Sequence, residues 1–80
     1  PKSMRFFLSA QLDTTRINRD VQRILEEIVV HLTQEQDVTM EMRLEVAATA
    51  SKGISQQTMR AVSENCRTLK IGNFGFEEEV

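Results

Sequence analysis

Two stretches of the chain alternate apolar and polar residues in the manner of half-buried β-strands. In Met4–Leu12 every second residue is apolar, phenylalanine is present and helix signals are few. Val38–Val46 alternates again, with an apolar face and a polar, charged face. A third, short edge strand is predicted at Ile71–Phe76, where two glycines weaken the pattern.

Between the first two predicted strands, the apolar residues recur three or four positions apart, as on one face of an α-helix. The spacing predicts a helix over Thr14–Gln34. Asp13 is expected to cap it, because a carboxylate at that position can accept the amide hydrogens of the first turn. The apolar stripe consists of Ile17, Val21, Ile24, Leu25, Ile28 and Leu32. Two ion pairs between residues four apart are expected on the opposite face, namely Arg16–Asp20 and Arg23–Glu27.

A second helix is predicted after the small, polar loop Ala47–Gly53, with Ser55 as its capping residue. Its narrower apolar stripe consists of Met59, Val62, Cys66 and Leu69. The resulting order, β-α-β-α with an optional third strand, predicts a two-layer α+β fold in which two helices pack on one face of a small sheet. The first two strands are expected to be parallel, because a long helical crossover joins them.

Length and composition are those of one small globular domain over residues 1–80. The chain is 40% hydrophobic and 28% charged, with a net charge of −2. That charge does not favour binding to nucleic acid or to an anionic membrane. No apolar run is long enough for a membrane span, and no signal-peptide pattern is present. The single cysteine fits a reducing compartment, so the cytoplasm is the expected location.

The residues that could support catalysis lack the partners that catalysis needs. His31 is the only histidine, and Cys66 falls on the predicted apolar stripe of the second helix. Glu41 and Glu45 would share the water-facing side of a strand with Arg43 between them, which is more typical of a solvated surface than of an acid–base pair. The chain has neither a P-loop nor a dinucleotide-binding fingerprint. No catalytic, cofactor-binding or metal-binding residue is therefore predicted.

Two features leave nucleic-acid binding open as an alternative. One is the basic helix face formed by Arg16, Arg19 and Arg23, which could contact phosphates. The other is the glycine–phenylalanine segment Ile71–Phe76, which has elements of a KH-type loop and of an RNA-recognition strand. Acidic residues interleave with the arginines, and the acidic end Glu77–Glu79 follows the second feature. Both would weaken the attraction for phosphate.

Polar residues are concentrated at the end of the predicted second helix, beside its apolar stripe. This arrangement suggests a contact surface with another protein, although an exposed helix end explains it equally well. The surface consists of Glu64, Asn65, Arg67, Thr68 and Lys70.

Several blocks of the sequence resemble the extreme C-terminal segment of a family of large prokaryotic proteins. The most specific are "LD..R.NRD...I.EE...HLT" at 12–33 and "ENCRTLKI" at 64–71, and the resemblance extends over Arg5–Glu79. Members of the family are predicted AAA+ (P-loop) ATPases that carry a domain of unknown function. They are often encoded beside DNA methyltransferases and helicases in proposed phage-defence islands.

The resemblance implies that the chain is the excised C-terminal domain of a larger ATPase. ATP and Mg²⁺ would then bind to upstream parts of the parent protein, and this domain would carry no cofactor. Its expected role is that of a non-catalytic accessory domain that mediates docking or oligomerisation. The expected partners are the remainder of the parent ATPase and further copies of the same protein.

Overall fold

The computed structural model describes residues 2–78. The chain forms two compact units, one up to Met42 and one from Arg43 onward. In the first unit, helix α1 (Ile17–Ile24) continues into a π-helical turn (Leu25–Val29) and then into the short helix α2 (Val30–Thr33). The second unit contains helix α3 (Gln56–Thr68).

The prediction of an α+β fold with a small sheet is wrong. Over residues 2–78 the structure has no strand, and the three segments predicted as strands are irregular. Alternation favours one buried and one exposed face, but a strand also needs a neighbour that pairs with its backbone N–H and C=O groups. Pairing Met4–Leu12 with Val38–Val46 would require closing a long loop to form only two or three strands, which are marginal in water.

The first helix lies where the periodicity predicts it, but it begins after Arg16 rather than at Thr14, and Asp13 does not cap it. The position before α1 is occupied by Arg16, which makes no side-chain capping bond. Asp13 instead closes the preceding turn, because its Oδ1 accepts hydrogen bonds from the Thr15 N–H at 2.9 Å and the Thr15 hydroxyl at 2.7 Å. The competing local bonds of an Asx turn therefore use the carboxylate that was expected to cap the helix.

The two predicted ion pairs of this helix have different outcomes. Arg23 Nε lies 3.6 Å from Glu27 Oε2, which confirms that pair. The Arg16–Asp20 pair is not among the ion pairs of the described residues, and Asp20 Oδ2 instead accepts a hydrogen bond from the Asp13 N–H at 3.3 Å. Asp20 thereby links the first turn of α1 to the turn that precedes it.

The π-helical turn was not predicted, because apolar spacing of three and four residues fits a regular α-helix with 3.6 residues per turn and does not signal a wider turn. A π-helical turn contains more residues, so it rotates the side chains that follow it. The half-buried residues of this helical stretch include Ile24, Ile28, Val29 and Leu32. Val29, the last residue of the π-helical turn, is thus half-buried together with Ile28.

The second helix is confirmed together with its cap. Ser55 has an extended backbone (φ −64°, ψ 153°), and its Oγ accepts a hydrogen bond from the Thr58 N–H at 3.2 Å. Its hydroxyl also lies 3.0 Å from the Thr58 hydroxyl. Both bonds satisfy polar groups at the helix start, as expected of a serine N-cap.

None of the helices over residues 2–78 has both the length and the apolar character needed to cross a membrane. The predicted acidic end continues to Glu79, which lies outside the described residues.

Candidate interaction surfaces

Apolar side chains remain exposed throughout the described part of the chain. Within residues 2–78 no side chain of any type is fully buried. Several residues expected on buried strand faces are among the most exposed, including Met4 at 88% and Val46 at 80%, while Phe7 reaches 91%. Folded monomers rarely leave large apolar areas open to water, and such areas usually mark binding surfaces.

The helical stretch of the first unit carries an ordered part of this apolar surface. Ile17, Val21 and Leu25 are 39%, 36% and 40% exposed. The remaining residues of the predicted stripe, Ile24, Ile28 and Leu32, are half-buried. All six residues of the predicted stripe therefore lie on one helical stretch, and each of them remains at least partly exposed to solvent.

The predicted polar contact surface lies at the C-terminal end of α3, and all five of its residues are exposed. Several residues of this surface form hydrogen bonds within the last turns of the helix. The Thr68 hydroxyl donates to the Glu64 carbonyl at 3.0 Å, and the Asn65 carbonyl accepts from the Leu69 N–H at 2.9 Å.

Lys70 has a structural role that the sequence analysis missed. Its φ of 60° is left-handed, and its N–H donates to the Arg67 carbonyl at 3.0 Å. The next residue, Ile71, donates its N–H to the Cys66 carbonyl at 2.8 Å. These two bonds form a Schellman motif, which satisfies the last carbonyls of a helix. Glycine is the usual residue at the left-handed position, so a lysine there gave no sequence signal, and Gly72 lies two residues too late.

The three arginines of the alternative nucleic-acid surface lie within or next to α1. Arg16 precedes the helix, whereas Arg19 and Arg23 belong to it. Arg16 and Arg19 border a shallow depression at the helix start that residues 14–19 line. Arg23 forms an ion pair with Glu27, so part of the positive charge of the basic face is neutralised within the helix.

Asp13 is the group in the described chain whose pKa is clearly displaced. The hydrogen bonds from the Thr15 hydroxyl and then from the Thr15 N–H lower the pKa of this carboxyl, and desolvation opposes them weakly. Both bonds favour the ionised form. The ionised carboxylate is therefore favoured in the turn that precedes α1.

The residues weighed for catalysis belong to different parts of the chain, with His31 and Glu41 in the first unit and Glu45 and Cys66 in the second. His31 lies exposed in α2, and Cys66 is a free, half-buried thiol in α3. Glu41 and Glu45 no longer share a strand face, because the strand that would align them is absent from the described residues. Within residues 2–78, no group of three or more histidine, cysteine, aspartate or glutamate residues is placed to hold a metal ion.

Comparison with known protein families, with curated proteins and with solved structures gave no match to this chain.

Proposed function

We propose that this chain is a non-catalytic interaction domain that docks or oligomerises a larger protein, and that this protein is an AAA+ ATPase of the family that the sequence resembles. The observation that carries the proposal is the exposed apolar surface, with no fully buried side chain in residues 2–78. Complete burial of a large apolar side chain contributes about 1.5–3 kcal/mol, whereas ordering the backbone costs roughly 1–2 kcal/mol per residue. Additional apolar burial against another surface would stabilise the ordered chain.

A role in interaction also fits the distribution of the polar groups better than a role in catalysis. Catalytic groups act in water-excluded clefts where their orientation is fixed. In the described chain, His31 is exposed and the hydroxyls of Thr15, Thr33 and Thr68 bond to groups close by in the sequence. Such bonds shape turns and helix ends rather than reactive sites.

The experiment that tests the proposal compares the parent ATPase with a variant that lacks these 80 residues. Sedimentation velocity in the presence of ATP should show a smaller assembly, or loss of a bound partner, on deletion. Backbone hydrogen exchange gives a second readout, because amides at 38–46 should exchange more slowly in the parent protein than in the isolated chain. An unchanged assembly together with identical exchange in both contexts would refute the proposal.

A nucleic-acid-binding module remains the second candidate, supported by the position of Arg16 and Arg19 at one helix start. Binding through these residues would weaken steeply as salt increases and would be lost in Arg19→Glu. Gln22→Glu on the same helix is the matched control, because it adds negative charge without removing an arginine. The absence of oligonucleotide binding at low salt would eliminate this candidate.

A further inference from the structure

We draw no further inference here: the strongest candidate, the partly exposed apolar stripe along the helical stretch 17–33, carries nothing because nothing in the structure shows what covers it.

Discussion

The Schellman cap that ends α3 supports a substitution test whose sign depends on one backbone angle. Lys70 has a φ of 60°. This left-handed conformation costs a residue with a Cβ about 1–2 kcal/mol, and glycine adopts it readily. Glycine loses more backbone entropy on folding, about 0.5–1 kcal/mol relative to alanine. We therefore expect Lys70→Gly to be more stable than Lys70→Ala by about 0.5–1 kcal/mol.

Alanine is the appropriate reference because both variants lose the lysine charge. That charge lies near the C-terminal end of α3, where a cation contributes about 0.3–1 kcal/mol through the helix dipole. Arg60 supplies the opposite control, since it is exposed within α3. At a helix interior position glycine is about 1 kcal/mol less favourable than alanine, so the order of the two variants should reverse.

The assay is urea and thermal unfolding of the four variants, monitored by helical circular dichroism. A difference of about 0.8 kcal/mol changes the ratio of folded to unfolded α3 roughly fourfold. The reasoning is refuted if Lys70→Ala matches or exceeds Lys70→Gly in stability while the Arg60 pair keeps the order expected of a helix. That result would mean that residue 70 is not left-handed in solution.

Three further predictions concern the other local contacts. Ser55→Ala should destabilise α3 by about 1 kcal/mol in urea unfolding, whereas Ser55→Asp should preserve the cap. Asp13 should titrate below its ordinary pKa by NMR, and Thr15→Val should raise that pKa by removing the larger of its two hydrogen-bond causes. The bonds that lower this pKa stabilise the turn fully when the pH is above the ordinary pKa of Asp13. That stabilisation is lost as the pH falls through the lower pKa of Asp13 in the folded chain. A double-mutant cycle on Arg23 and Glu27 should give at most about 0.5 kcal/mol, because both side chains are exposed.

Both helices could be predicted from the sequence because the signals that determine them are local. The capping bond from the Thr58 N–H to Ser55 connects residues three apart, and the apolar periodicity extends over neighbouring turns. The start of α1 was predicted less well for a reason that is also local. Asp13 can bond to Thr15 in a turn or to the first turn of a helix, and the spacing of apolar residues does not distinguish these two outcomes.

The sheet could not be predicted correctly because strand pairing is a property of two segments. Alternation in Val38–Val46 identifies an apolar face, but it carries no information on whether another segment will pair with the backbone. The candidate surface at the end of α3 could likewise be predicted only in part. The exposure of Lys70 could be anticipated from its polarity, while its left-handed backbone depends on how the chain leaves α3.

The exposure along Val38–Val46 bears on the proposed interaction role. Among its alternate apolar residues the exposed fraction is 44% at Val38 and 37% at Met40, and it increases through Met42 and Leu44 to 80% at Val46. Contact with water makes each of these apolar side chains unfavourable. The proposed docking role would give a physical reason for them, because a second surface would remove them from water, and the slower amide exchange at 38–46 expected in the parent protein tests that reason.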